Sequence, residues 1–133
     1  MTPTRVTGMA VSWHPAEPGK LLVAEKNGLL QLFHIENQQP LLSLDAGQVP
    51  LMAAHWAPSN SHFVAALAGG ELITWDLSRP SRAVEVRPVH AQGGRWLRFC
   101  SSCELVVATL GRPGHELKVC NTRAKLPMLA TTL

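Results

Sequence analysis

No run of the sequence reaches the roughly eighteen apolar residues that a membrane-spanning helix needs. Its first stretch, MTPTRVTGMAVSWHP, also has no basic segment followed by a long apolar one. Membrane insertion and secretion are therefore not expected. Cysteine is scarce, three in 133 residues, and an odd count without a secretory signal points to a reducing compartment, cytoplasm or nucleus, in which thiols stay free. Charge is sparse as well. The 12 Lys and Arg exceed the 9 Asp and Glu by three, scattered except for a modest Arg-rich stretch from Arg79 to Arg98, and so weak an excess gives no reason to expect direct nucleic-acid binding.

Helical patterning is missing too. Ten prolines and ten glycines interrupt the chain every few residues, and the short apolar runs between them read as strands. What the chain does have is a core: 46% hydrophobic and 16% charged residues describe one ordinary folded domain rather than a disordered segment. Met9, Val11 and Trp13 alternate with small or polar residues, as do Met52, Ala54 and Trp56. A period of two turns one face of each strand toward a core.

The decisive feature is an internal repeat. Met9 to Pro15 (MAVSWHP) returns as Met52 to Pro58 (MAAHWAP), and again, degenerately, as Arg95 to Ser101 (RWLRFCS). The aromatic anchors Trp13, Trp56 and Phe99 stand 43 residues apart, a blade-sized period. After each anchor come a loop and an apolar strand, Leu21 to Ala24, Phe63 to Leu67 and Leu105 to Thr109. Glycine-containing turns follow, at Asn27-Gly28, Gly69-Gly70 and Gly111 to Gly114, of the kind that tight hairpins need. Third strands run from Leu29 to Phe33, Glu71 to Trp75 and Leu117 to Cys120, and fourth pieces from Leu41 to Leu44, Ala83 to Val86 and Met128 to Ala130.

These patterns predict an all-β fold: a WD-repeat β-propeller of about three four-stranded blades, with units at approximately residues 6–46, 49–88 and 92–131 within a partial propeller spanning 1–133. The second unit ends its third strand on Trp75-Asp76, the dipeptide that names WD repeats. The first unit has Phe33-His34 there and the third Cys120-Asn121, and no Gly-His pair introduces any unit. A β-sandwich also has turns at short intervals, but it gives no reason for identical spacing of bulky anchors. Closed propellers have typically four to eight blades, so three form an incomplete ring whose exposed faces and strand edges invite association. A piece of a longer protein, or a shortened product, is the expectation.

One resemblance goes beyond generic WD repeats. It is carried by Met9 to Pro15, Leu22 to Gly28 (LVAEKNG), Leu42 to Leu44, Gln48 to Met52 (QVPLM), Ala54 to Trp56, Ala68-Gly69, Ile73, Trp75-Asp76 and Arg87 to His90 (RPVH). These segments resemble the small WD-repeat nucleoporin family of the Y-shaped outer-ring complex of the nuclear pore, in register over roughly residues 8 to 110. Beyond Gly114 the likeness fades. The resemblance implies the later-middle part of a normally seven-bladed ring followed by a divergent C-terminal tail. It further implies a structural scaffold subunit docked onto a large α-solenoid nucleoporin among the other subunits of the complex, at the nuclear envelope, with a kinetochore role in mitosis. It assigns no partner-binding residues. The alternative is a generic WD-repeat adaptor in another multiprotein assembly.

The candidates for chemistry are few. Cys100 and Cys103 form a Cys-x-x-Cys pair that, with His115 and Cys120, could offer four ligands to zinc. A second such pair is lacking, and packing is the ordinary role of a free cysteine. No βαβ unit exists to activate the pair as a redox site. The six histidines His14, His34, His55, His62, His90 and His115 suggest a nucleophilic site only if a base and an oxyanion site are placed beside them, and no motif does so. Holding loops by hydrogen bonds is the simpler role, as it is for Asp76 in the turn after its strand. Trp13, Trp56, Phe99 and Trp75 are expected in the core, although an exposed Trp can be a binding hot spot. Neither catalysis nor a cofactor is expected.

Overall fold

The computed structural model describes residues 8–47, 49–124 and 126–133. Residues 6–7 of the first expected unit, the side chain of Met9, Gln48 of the QVPLM segment and Lys125 of the third unit lie outside the described residues.

Alternation and turns resolve into twelve strands and, among the described residues, no helix. The first blade comprises β1 (Gly8–Trp13), β2 (Lys20–Glu25), β3 (Leu29–His34) and β4 (Leu42–Asp45). The second comprises β5 (Leu51–Trp56), β6 (Phe63–Ala68), β7 (Glu71–Asp76) and β8 (Glu85–Pro88), and the third β9 (Gly94–Cys100), β10 (Cys103–Gly111), β11 (Glu116–Asn121) and β12 (Leu129–Thr132). Each blade is an antiparallel sheet whose spatial order follows the chain. The three sheets are blades of an incomplete WD-repeat propeller, with β5 packed between β1 and β9.

Two apolar seams join them. Between the first and second blades lie Leu22, Ala24, Leu30, Leu44, Ala54, Trp56, Val64, Ala66, Ile73 and Trp75. Between the second and third lie Ala53, Ala65, Leu67, Leu72, Leu97, Phe99, Val107 and Cys120. The central blade is therefore buried on both faces. This accounts for the continuous apolar and small runs in β6 (FVAALA), whereas a strand with one solvated face alternates.

The turns follow from residue chemistry with one refinement. In the β2–β3 hairpin only Gly28 takes positive φ, at 94°, and its N–H bonds to the Glu25 carbonyl at 3.1 Å. Asn27 instead accepts the Leu29 amide on its side-chain oxygen.

The outermost strands of the second and third blades depart from expectation. The second-blade piece expected at Ala83 to Val86 pairs as Glu85–Pro88, and Met128 to Ala130 becomes Leu129–Thr132. In both, the amide that precedes the ladder still bonds across it, Val84 to the Thr74 carbonyl and Met128 to the Val119 carbonyl, each at 2.7 Å. On an outer strand, hydrophobicity marks the approach to the ladder rather than its extent. Pro88 sits at the end of such a strand, where no ladder donor is needed.

Candidate functional site

The repeat builds its joints from the same positions each time. On the second blade Trp56, Val64 and Trp75 share one row facing the first blade, and His55, Ala65, Thr74 and Glu85 share a row on the opposite face. Trp56 is 2% exposed, Trp75 1% and Phe99 6%. The Trp56 indole N–H donates to the Ser61 carbonyl at 2.7 Å, closing the loop after its strand. His14 meets the Trp56 ring edge-on, with centroids 4.4 Å apart.

Trp13 corrects the expectation of a core anchor, since it is 61% exposed. The reason is register. Trp13 pairs with Leu21, which pairs with Phe33, on the face of the first sheet turned away from the second blade, where among the described residues no further sheet packs.

Polar ties cross each joint at equivalent positions. The Trp56 amide donates to the Ser12 hydroxyl oxygen at 3.1 Å, and the Phe99 amide donates to His55 Nδ1 at 3.1 Å. Burial, then the nearby Arg98 charge, holds the His55 imidazole below its ordinary range, which keeps the lone pair on Nδ1 available to the amide. Burial likewise lowers His14, whose Nδ1 accepts the amides of Ala16 and Glu17 at 2.9 and 2.8 Å.

One polar network was not legible from motifs. His90, fully buried, sits between the second and third blades with Nδ1 2.7 Å from Glu116 Oε1 and Nε2 2.8 Å from Thr109 Oγ1. Its own amide donates to the Gly70 carbonyl at 3.0 Å. A Cβ on Gly70 would overlap the His90 carbonyl, and one on Gly111 would overlap the imidazole ring. These two glycines are therefore set by close approach to one histidine. The hydrogen bond from His90 draws the Glu116 carboxyl below its usual range. A signal existed in the sequence, an isolated His two residues beyond an outer strand, but no Gly-His pair announced it.

The departures from the Trp-Asp dipeptide turn out to keep its hydrogen bonding. Asp76 accepts the Ser78 amide at 2.9 Å and the Ser78 hydroxyl at 2.6 Å, which draws its carboxyl below the usual range. At the equivalent places His34 Nδ1 accepts the Glu36 amide at 3.1 Å and Asn121 Oδ1 accepts the Arg123 amide at 2.9 Å. Three residue types serve one turn, because the turn needs only an acceptor two residues before the amide.

The four candidate zinc ligands are not brought together: among the described residues no group of three or more His, Cys, Asp or Glu side chains could hold a metal ion. Cys100 and Cys103 flank the β9–β10 hairpin and pair with each other across it, with the Cys100 thiol 3.6 Å from the Ser102 hydroxyl. The backbone and side chain of Ser102 lower the Cys100 thiol pKa. His115 sits in the turn at the far end of β10, with Nδ1 3.2 Å from an Arg95 nitrogen, and β10 alone separates the two ends by roughly 25 Å. Cys120 is buried in the second seam. His62 donates its backbone amide to Asn60 Oδ1 in the loop after Trp56. His90 stands between a hydroxyl and a carboxylate, but it and Thr109 are buried and both of its ring nitrogens are committed.

No family model matches the sequence. Curated relatives do. Nucleoporin Nup37 of Drosophila melanogaster is 42% identical over 127 residues, 95% of this chain and 39% of its own length. Nucleoporin Nup37 of Mus musculus is 46% identical and that of Homo sapiens 45% identical, each over 107 residues, 80% of this chain and 33% of its own length. A match of 127 residues in a chain of 133 ends no earlier than residue 127, so similarity to the fly protein continues past Gly114. The matches to the mouse and human proteins stop at 107 residues, so the tail is matched by the fly protein and not equally by all three, and it supplies β12, which pairs with β11 from Leu129 to Thr132. The chain spans little more than a third of the length of these relatives, and over the stretch it covers it belongs to the nucleoporin Nup37 family.

Proposed function

We propose that this chain serves as a non-catalytic structural element of the nuclear pore, part of a propeller that docks onto a large α-solenoid nucleoporin of the Y-shaped outer-ring complex and so supports nucleocytoplasmic transport of protein and mRNA. The observation that carries the reading is the 42–46% identity to Nup37 proteins over 80–95% of the chain. The structure supports a binding role in a second way. The buried His90, bonded to Thr109 and Glu116, and the half-buried His55, bonded to the Phe99 amide, tie the second blade to the third. A fold that spends its histidines on rigidity offers a preformed surface, which lowers the ordering cost of association. Localisation at the nuclear envelope, and a kinetochore association in mitosis with a part in cell division, belong to the same proposal and rest on the family resemblance. No described helix is long and apolar enough to cross a membrane, in keeping with docking through protein contacts.

The test is co-purification of the chain with the α-solenoid nucleoporin, both as it stands and joined to the remaining propeller sequence of a Nup37 relative. Stoichiometric binding by the joined chain supports the reading. A folded joined chain that fails to bind overturns the partner assignment and leaves a generic WD-repeat adaptor.

A further inference from the structure

We propose that the joint between the second and third blades takes an acidic peptide segment, with an aliphatic side chain of that segment seated between the blades and its carboxylates held by Arg79, Arg82 and Arg123. The inference does not rest on the nucleoporin reading, and its test uses no pore subunit.

The opening follows from a difference between two equivalent joints. Where the first blade meets the second, His14 packs edge-on against Trp56. One period of 43 residues further on, the same two positions hold Ala57 and Phe99, both in the second seam. Both replacements remove volume, and close-packed interiors leave few voids larger than a water molecule. Here space remains. A cavity of about 90 Å³ lies against Phe99 and is walled by Phe63, Thr74, Val84 and Leu105. It shares Phe63 and Val84 with a wider hollow of about 470 Å³ along the loop between β7 and β8, so that the two form one groove. The cavity end of this groove lies in the joint between the second and third blades, inside the chain.

The rim of the groove is cationic. Asp76 and Asn121 end the third strands of the two blades, so the loops that follow, with Arg79 and Arg82 on one blade and Arg123 on the other, leave their blades at equivalent places. Arg79 and Arg82 line the hollow and Arg123 the cavity, and all three are exposed. Every Asp and Glu of the chain is among the described residues, and none of them forms an ion pair with these arginines. The two carboxylates of the groove are engaged elsewhere: Asp76 accepts the Ser78 amide and hydroxyl, and Glu104 accepts the Ser59 hydroxyl at 3.3 Å. Unpaired guanidiniums fork onto carboxylates, and beside an apolar cleft they select an acidic segment that carries an apolar anchor.

The cavity also sets the size of the anchor. A dry cavity of about 150 Å³ accepts benzene, so a smaller one suits the branched tip of Val, Leu or Ile and rejects an aromatic ring. Strands of two blades tied by the His55 bond to the Phe99 amide form the walls, so the cleft exists before the peptide arrives.

Fluorescence anisotropy tests this, with the whole chain titrated into fluorescein-labelled heptapeptides that carry glutamates on both sides of a varied central residue. Peptides with central Leu, Ile or Val bind. Central Gly or Phe weakens binding about tenfold or more, and exchanging the glutamates for glutamines abolishes it. Reversing Arg79→Glu and Arg82→Glu together weakens binding roughly tenfold, and the same variant gains affinity for the corresponding lysine peptides. Val84→Glu also weakens binding, whereas Arg112→Glu, beyond the far end of β10, leaves it unchanged. Unaltered thermal midpoints show that these exposed positions do not act through the fold. Binding indifferent to the central residue, or equalled by a single-stranded oligonucleotide, overturns the proposal, because the arginines would then form only a polyanion surface. Failure of every aliphatic peptide to bind, or binding that survives the arginine reversals, overturns it equally.

Discussion

The Nδ1 atom of His55 on the second blade accepts the backbone N–H of Phe99 on the third at 3.1 Å, so a titratable ring ties down the aromatic anchor of its neighbour. Burial holds this imidazole, and that of His14, below the ordinary value of 6.5. The unfolded chain then takes up protons first. The stability contributed is complete above about pH 6.5 and declines as pH falls through the window beneath it. The thermal midpoint is expected to drop between about pH 7.5 and about pH 5.5, and His55→Asn, which keeps an acceptor but cannot titrate, should flatten that slope. Equal slopes for the two proteins would contradict the role given to His55.

Trp13 and Trp56 occupy the same repeat position and differ in what covers them. Trp56→Ala should cost roughly 3–5 kcal/mol, the range for emptying a buried aromatic site. Trp13→Ala, at a side chain 61% exposed, should cost about 0.5 kcal/mol or less, as for other surface positions. Denaturant titrations of the two variants measure both. Similar losses would mean that Trp13 is buried by something the register does not show.

His90 is a buried polar junction, bonded to Thr109 and Glu116 and pressed by Gly111. Thr109→Val leaves Nε2 of a buried ring without its partner and should cost about 1–3 kcal/mol. Gly111→Ala should be destabilising as well, because its methyl overlaps the ring. The Glu116 carboxyl is held below its ordinary range by His90. Its contribution is therefore present above that range and lost as pH falls through the lowered value, a second and more acidic step than that of His55. Hydrogen exchange of the β9–β10 amides in the two variants locates the damage.

The turn after each third strand makes a simpler forecast. His34, Asp76 and Asn121 perform one task with three chemistries. Asp76→Asn should therefore leave the midpoint nearly unchanged, whereas Asp76→Ala lowers it. A loss from Asp76→Asn as large as that from Asp76→Ala would show that charge, rather than an acceptor, is what the turn requires.

Much of this architecture was legible in the residues. Alternation and glycine turns located the inner three strands of every blade, because those strands have a buried face and defined hairpins. The outer strands were misplaced by one or two residues, since β12 has no buried residue to set a pattern and β8 only partly covered ones. Trp13 misled because periodicity states which residues share a face, not whether another sheet covers it. The Cys-x-x-Cys pair offered ligands by spacing alone: its two residues face each other across a hairpin, and the remaining candidate ligands are carried to the other end of the sheet and into a seam. His90 was visible only as one of six histidines suited to hydrogen bonding, because its partners, Thr109 and Glu116, lie 19 and 26 residues away, and only strand pairing brings them to it.

Membership of the pore is tested most directly by imaging the protein, tagged at its own locus, together with a pore marker. A punctate rim coincident with pores, lost when the α-solenoid nucleoporin is depleted, is the predicted result. A diffuse signal indifferent to that depletion would contradict the account.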